Sequence, residues 1–292
     1  MASASDYAPS SPIYHCNVIV FGESGVGKSS LINQIFDKIV VKASNQALGC
    51  TTENARISSV LTGYSGISCD IYDTVGLSES ADGSVPTETA FVQLIKLAYA
   101  IPNGINLLIC CHNKGRIAND RFKANYRIFK QELCGNRIPC LLVITNCDGD
   151  EPLDEWWIEN EEVVRKRLLF DFIDCVCVST LKTKKNKPNV ALRDYQVSRD
   201  NLIRAIIARA LPKPIKIDSW SRKVIIAARE FFNTFSTWFS WFGVRKATLR
   251  PELKQMFISL NYSEEKAEQA TEKLLRELAD KDLQAPYRDI EA

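Results

Sequence analysis

The chain has 292 residues and a formal net charge of +2 at pH 7, from 37 lysines and arginines and 35 aspartates and glutamates. This near balance excludes a polyelectrolyte and gives no global indication of a nucleic-acid partner. Hydrophobic residues make up 46% of the chain and charged residues 25%, which is typical of a globular protein. The length fits one large domain, or a medium-sized domain with an appendage.

The start of the chain lacks the charged region and the apolar run of a signal peptide, so residues 1–15 are predicted to be a disordered tail. No stretch reaches the roughly 18 consecutive apolar residues that a membrane-spanning helix needs. The ten cysteines lie mostly within apolar runs and lack the spacing of a zinc site, so we expect buried, reduced thiols. These features predict a cytoplasmic protein, with peripheral membrane contact as an alternative.

A glycine-rich loop is the clearest motif in the sequence. Residues 18–21 form a short apolar run typical of a buried strand, and the pattern Gly-x4-Gly-Lys-Ser follows at residues 22–29. Glycines let the backbone wrap around a diphosphate, and the next helix directs its positive end at the same anion. In this arrangement Lys28 neutralises the β- and γ-phosphates, and the Ser29 hydroxyl binds Mg²⁺. The residues predicted to contact the nucleotide are Gly22, Glu23, Ser24, Gly25, Val26, Gly27, Lys28, Ser29 and Ser30.

Two further segments predict a sensor of the γ-phosphate. A strand candidate over residues 66–73 ends in Asp-x-x-Gly, so Asp73 is predicted to hold Mg²⁺ through a water and the Gly76 amide to meet the γ-phosphate. Between the two motifs lies a threonine pair in a stretch of weak periodicity. The first switch needs such a hydroxyl to complete the magnesium shell when a triphosphate is bound. Thr52 is the preferred candidate and Thr51 the alternative.

A third motif predicts base selection. The segment Thr-Asn-Cys-Asp at residues 145–148 resembles the Asn/Thr-Lys-x-Asp motif that specifies guanine. A carboxylate such as that of Asp148 accepts two hydrogen bonds from the N1 and N2 edge of guanine, a donor pair that adenine lacks. Asn146 replaces the usual lysine, whose stem covers the base, which leaves the strictness for guanine open. The predicted base-binding residues are Thr145, Asn146 and Asp148, together with Ser179 and Thr180, which resemble the Ser-Ala-Lys loop behind the base.

Strand and helix patterns alternate along the first two thirds of the chain. Besides those already named, strand candidates lie at residues 105–111, 140–145 and 174–178, and helical patterns lie at 86–101, 119–134, 154–169 and 198–210. Alternation of this kind predicts an α/β fold with a mostly parallel six-stranded sheet and helices on both faces. We assign this domain to residues 16–212 and expect its ligand at the carboxyl ends of the strands.

The order of these motifs resembles a P-loop GTPase of the translation-factor class, and most closely its septin-like group with the immunity-associated GIMAP and chloroplast-import GTPases. The resemblance implies GTP or GDP with Mg²⁺ as cofactors and a homodimer across the nucleotide face. Leu77 stands where many GTPases carry a glutamine that orients the attacking water, so slow hydrolysis is expected. In the basic loop after residues 105–111, Arg116 is a candidate finger acting across the dimer, and His112 a candidate switch contact.

The remaining residues, 213–292, are predicted to form a helical extension. Segment 213–250 carries eight basic residues against two acidic ones, together with tryptophans and phenylalanines at helical spacing. Docking on the nucleotide-binding domain or pairing in a dimer accounts for this pattern, and so does contact with a lipid interface. Residues 248–281 suggest a small helical hairpin, and no nucleic-acid partner is expected.

Together these features predict a guanine-nucleotide-binding switch that hydrolyses GTP slowly under control of dimerisation or a partner. Its candidate catalytic residues are Lys28, Thr52, Gly76 and Arg116. A nucleotide-binding scaffold or membrane-associated structural protein with negligible turnover is the alternative, and Leu77 is its best support. A kinase is disfavoured because Asp148 lies where guanine specificity needs it.

Overall fold

The computed structural model describes residues 15–40, 55–74 without 62 and 65, 97, 101, 103–183 without 118, 188–216, and 250–279 without 252, 256 and 259–261. The strands are His15–Phe21 (β1), Ala55–Val60 (β2), Ser68–Asp73 (β3), Leu107–Asn113 (β4), Cys140–Thr145 (β5) and Asp174–Cys177 (β6). The helices are Lys28–Phe36 (α1), Asp120–Tyr126 (α2), Glu155–Glu162 (α3), Pro188–Arg209 (α4) and Glu264–Ala279 (α5).

The six strands form one sheet in the order β2-β3-β1-β4-β5-β6. All neighbouring pairs are parallel except β2 and β3, which are antiparallel. The predicted six-stranded, mostly parallel sheet with helices is therefore confirmed. β2 is not among the predicted strands. This edge strand carries polar residues among its apolar ones, and of its described side chains Ile57 is the apolar one that packs partly against the core.

Two hydrophobic clusters cover the two faces of the sheet, since successive side chains of a strand point to opposite faces. In β1, Val18 and Val20 belong to the cluster that includes Leu31 of α1 and Leu202 of α4. Ile19 and Phe21 of the same strand belong to the other cluster, which includes aromatic residues of α2 and α3. The central strands are consequently apolar on both sides, which explains why the sequence shows them as continuous apolar runs.

The helices follow the predicted patterns with two differences. α2 and α3 each continue as a short π-helical segment, Arg127–Leu133 and Val163–Arg167. α4 begins at Pro188, ten residues before the predicted start at 198. Most of the predicted helix 86–101 lies outside the described residues. Leu97, which is described, is helical.

The chain remains on the sheet after α4. Ile215 exchanges backbone hydrogen bonds with Ile105 at 2.9 and 3.0 Å, just before β4. The Asn106 side chain donates to the Leu211 carbonyl at 2.7 Å and accepts from the Asn17 amide at 2.8 Å. Hydrogen bonds to the nucleotide-binding domain thus continue beyond residue 212, where the domain boundary is predicted.

The C-terminal helices pack into the same core. Residues 250, 251, 253–255, 257 and 258 are helical, and α5 follows them. Leu253, Phe257 and Leu274 are buried members of the cluster that includes Phe21. The basic aromatic segment lies outside the described residues between 217 and 249. Within the part of the chain that the structure describes, no helix has the length and apolar character needed to cross a membrane.

The cysteines agree with the prediction of buried thiols. All nine cysteines within the described residues are free, and eight of them are buried. Cys175 is the partly exposed one. Burial raises the pKa of the Cys111 thiol to about 12, which leaves it protonated and unreactive at neutral pH.

Candidate functional site

The glycine-rich loop connects β1 to α1 at the carboxyl end of the central strand. Gly25 and Gly27 have φ angles of 74° and 93°, in the left-handed region that favours glycine. A Cβ at Gly22 would lie 2.2 Å from the carbonyl oxygen of Cys111, so only glycine lets the loop pass this close to β4. The loop closes around Lys28, whose Nζ donates to the carbonyls of Gly22 at 3.1 Å and Glu23 at 2.8 Å.

Neighbouring segments hold the loop from outside. The Thr145 hydroxyl, at the end of β5, donates to the Val26 carbonyl at 2.6 Å. On the other side, the Asn119 side chain donates to Glu23 at 3.0 Å and accepts from the Phe122 amide at the start of α2. Thr145 is fully buried, so its side chain supports the phosphate-binding loop and links it to the predicted base motif.

Asp73 ends β3 beside β1, next to the start of α1. Its side chain is fully buried, and neither carboxylate oxygen has a hydrogen-bond partner among the described residues. Burial raises the pKa of Asp73 to about 6, and the charge of Lys28 and the Ser29 hydroxyl oppose this rise only in part. A buried carboxylate that is only partly compensated is costly, which favours a bound cation at this position. The donor set of Asp73 and Ser29, both oxygen ligands, fits Mg²⁺.

The backbone explains why Asp73 faces the loop. Asp73 lies opposite Val20 in the parallel register of β1 and β3. The next residue, Thr74, donates to the Val20 carbonyl through both its amide, at 3.2 Å, and its hydroxyl, at 2.9 Å. The carboxylate is therefore fixed at the sheet edge where the loop begins.

The predicted base-binding residues meet at the ends of β5 and β6. The Ser179 hydroxyl donates to the Asp148 carboxylate, and the Cys147 amide donates to the Val178 carbonyl at 3.2 Å. Asn146 is exposed and has a φ of 61°. The structure therefore brings the two predicted base segments into direct contact, beside the phosphate-binding loop that Thr145 supports.

The loop after β4 lies next to both parts of the site. Arg116 is exposed, whereas His112 is buried with its ring 5.1 Å from that of Phe122. His112 Nε2 lies 3.3 Å from the Arg116 carbonyl oxygen. Burial lowers the pKa of His112, against the nearby charge of Glu23, so the imidazole is neutral at pH 7. His112 therefore contacts the loop from the protein interior. Its ring is not exposed, so the predicted contact with a switch segment stays a prediction.

Several predicted residues lie outside the described residues: Thr51, Thr52, Gly76 and Leu77. Other residues at the site were not predicted from the sequence. Asn119, Gln34 and Ser198 support the phosphate and base loops through hydrogen bonds to residues far along the chain.

A comparison with protein-family models matches residues 17–146, a little under half of the chain, to the family described as 50S ribosome-binding GTPase. No curated protein sequence matches this chain significantly.

Several solved structures match this chain at low identity and low TM-score. A dimerization-deficient mutant of Toc33 from Arabidopsis thaliana has 22% identity and a TM-score of 0.43, over 64% of this chain and 86% of that one. A variant of Era from Aquifex aeolicus bound to GDP and AlF4⁻ has 17% identity and a TM-score of 0.47, over 73% and 66%. Toc33 with GDP and Mg²⁺ has 19% identity and a TM-score of 0.43, over 68% and 87%.

The sheet order, the glycine-rich loop between β1 and α1, and the matched family model agree on one class. The chain contains a P-loop GTPase domain, a guanine-nucleotide-binding fold, followed by C-terminal helices.

Proposed function

We propose that this protein is a guanine-nucleotide switch that binds GTP and GDP with Mg²⁺ and hydrolyses GTP slowly, under control of dimerisation or a partner. The observation that carries the proposal is the buried Asp73 carboxylate, which has no hydrogen-bond partner in the described structure and lies beside Lys28 and Ser29. The motif order supports a place in the septin-like group that includes GIMAP proteins.

The phosphate side of the site provides positive charge and oxygen ligands. Lys28 exchanges its two carbonyl contacts in the loop for contacts with the β- and γ-phosphates, and the loop amides bind the diphosphate. Ser29, Asp73 and Thr52 would hold Mg²⁺, which would supply positive charge to neutralise the charge that develops on the phosphates. The Gly76 amide binds the γ-phosphate and so reports its presence.

The base side of the site selects guanine. An ionised carboxylate offers about four lone-pair positions, so Asp148 accepts from Ser179 and still accepts from N1 and N2 of guanine. Adenine has no donor pair at this edge, so the lone pairs of Asp148 that face the base would receive no hydrogen bonds from it. The segment of Ser179 and Thr180 lies behind the base, where Ser179 acts through Asp148 because its own amide already donates to Ser198. Asn146 covers less of the face of the base than a lysine stem does.

Slow turnover follows from the residue after Gly76. Leu77 has no group to orient water, so the missing function is supplied by a second copy or a partner. Arg116 is exposed on the ligand side of the sheet, where a second copy meeting the nucleotide face can receive it. The basic aromatic segment 213–250 is proposed to report the nucleotide state by docking or by peripheral membrane contact, in a cytoplasmic protein.

GTP hydrolysis measured against protein concentration tests this proposal. We expect the specific activity of the parent to rise with concentration, and to fall in both Lys28→Ala and Arg116→Ala. Arg167→Ala is a matched control. Arg167 is also exposed, but it lies between α3 and the start of β6, away from the carboxyl ends of the strands. If the parent binds GTP tightly but its turnover stays at the Lys28→Ala background, the enzymatic proposal fails and a nucleotide-binding scaffold replaces it.

A further inference from the structure

All three polar groups of Ser179 are fixed by different parts of the protein. Its hydroxyl donates to the Asp148 carboxylate. Its amide donates to the Ser198 hydroxyl of α4 at 2.9 Å. Its carbonyl accepts from Nε2 of Gln34 in α1 at 2.7 Å. Ser179 is buried, so the direction of its hydroxyl is set by these contacts and not by solvent.

The Gln34 side chain is held in the orientation that makes this contact. Its side chain is fully buried, and its second Nε2 hydrogen bond goes to the Tyr195 carbonyl at 3.1 Å. Because both hydrogens of the amide are directed at carbonyls, only one orientation of the amide satisfies them. Its Oε1 has no partner within the described part of the chain. An apolar side chain would avoid this unsatisfied atom, so the donor function accounts for the glutamine.

A second contact locks the same region. The Arg199 guanidinium donates to the carbonyls of Gln34 at 3.0 Å and Ile35 at 3.2 Å, at the end of α1. α1 is also the helix that begins with Lys28 and Ser29. The phosphate and base parts of the site are therefore attached to the two ends of one helix.

We propose that Gln34 is a positioning residue for guanine recognition: it holds Ser179 so that the Ser179 hydroxyl fixes the rotamer of Asp148. This inference rests on the proposed guanine-binding function. Gln34 itself is buried behind the base loop and acts through Ser179. Loss of Gln34 therefore weakens the hydrogen bonds that depend on Asp148 more than those made to the phosphates.

The test compares GDP with inosine diphosphate (IDP), which lacks only the 2-amino group of guanine. The ratio of their dissociation constants measures the contribution of the hydrogen bond between the 2-amino group of guanine and Asp148. We expect the parent to prefer GDP about tenfold or more, since one hydrogen bond to a charged group contributes on that order. Gln34→Met keeps the length of the side chain but has no donor, and we expect it to reduce this preference by about threefold or more.

A conservative variant tests the donor directly. Gln34→Glu places a carboxyl in the same buried position, where it stays protonated and donates one hydrogen bond. Its GDP preference should lie between those of the parent and Gln34→Met. This variant also provides the measurement if Gln34→Met does not fold.

Asn106→Ala is the matched control. Asn106 is buried and its side chain also makes two hydrogen bonds to backbone groups, but it lies at the amino ends of the strands. We expect lower stability with a GDP preference within about twofold of the parent, as for independent sites. In an Asp148→Ala background, Gln34→Met should cause no further loss of preference.

The outcomes separate this inference from the proposed function. If the parent binds GDP no better than ADP, the proposed function fails and this inference fails with it. If the parent prefers GDP but both Gln34 variants keep the full preference over IDP, only the positioning role is overturned. An equal loss of preference in Asn106→Ala would also overturn it, since the effect would then follow from stability.

Discussion

The burial of the Asp73 carboxylate predicts that its removal raises the free energy of unfolding. Asp73→Asn should stabilise the protein when nucleotide and Mg²⁺ are absent. Burial raises the pKa of Asp73 from 3.8 to about 6, because the ionised form is unfavourable in this surrounding. Two pKa units correspond to about 3 kcal/mol of destabilisation at neutral pH. The new amide lacks a partner as well, which costs about 1 kcal/mol, so we expect a net gain of about 2 kcal/mol.

The gain should depend on pH in a defined direction. Above pH 6 the folded parent holds an ionised Asp73, and the full difference between variant and parent is present. As the pH falls through about 6, the folded parent binds a proton that the unfolded chain binds only near about 3.9. The parent therefore recovers stability, and its difference from Asp73→Asn should shrink between about pH 6 and 4.

Urea unfolding in EDTA, after removal of bound nucleotide, measures this difference at pH 7.5 and 5. Asp70→Asn is the control in the same strand, because Asp70 is buried but paired. Burial raises the pKa of Asp70, but hydrogen bonds from Ser58 and Arg56 outweigh it and hold that pKa below its ordinary value. Asp70→Asn should therefore destabilise the protein at pH 7.5, and less so as the pH falls through that lowered pKa.

Two results would refute the reasoning about Asp73. One is a loss of stability in Asp73→Asn at pH 7.5 without metal, which would mean that the carboxylate is satisfied. The other is a gain of the same size at pH 7.5 and 5, which would mean that ionisation is not its cause. Addition of Mg²⁺ and GDP should make the parent more stable than Asp73→Asn, because only the parent keeps the carboxylate that is proposed to bind Mg²⁺.

Three further substitutions separate the site from the rest of the fold. Gly22→Ala should abolish GDP binding in a calorimetric titration, because its Cβ would lie 2.2 Å from the Cys111 carbonyl oxygen and displace the loop; retained affinity would contradict this. Gly104→Ala should lower the unfolding free energy by about 1–3 kcal/mol with little change in GDP affinity, since its φ is +88° and its Cβ would lie 2.6 Å from the Ile215 carbonyl. Asp148→Asn should weaken GDP binding about tenfold or more and improve binding of xanthosine diphosphate, whose 2-oxo group accepts a hydrogen bond; unchanged affinities for both would exclude contact with the base.

Strands were predictable where burial is complete. β5 begins and ends where the apolar run does, because both of its faces are covered. β2 could not be located from the sequence, since an edge strand has half its residues in solvent and shows little periodicity. The first half of α4 was missed for a similar reason: the buried apolar residues there are Ala191 and Tyr195, too few to show a helical pattern.

At the site, sequence analysis identified residues within local motifs and missed those that support them. Lys28 and Asp148 belong to patterns of fixed spacing, so their chemistry is readable from neighbouring residues. Gln34 and Ser198 act on Ser179 through contacts between distant segments, which no local pattern specifies. One signal for Gln34 was available: it lies three residues after Leu31, on the apolar face of α1, where a polar side chain needs a buried partner.

Unsatisfied buried groups are concentrated around the site. Among the described residues, the buried side-chain atoms without a hydrogen-bond partner belong to Asp73, Gln34, His112 and Asn125. The first three lie at the carboxyl end of the central strands or on the helix that follows the phosphate-binding loop. Their placement means that stability is lost where ligands are proposed to bind, as is general for functional sites. Nucleotide and Mg²⁺ binding would therefore stabilise these particular elements more than the opposite edge of the sheet, where Asn17 and Asn106 are already paired.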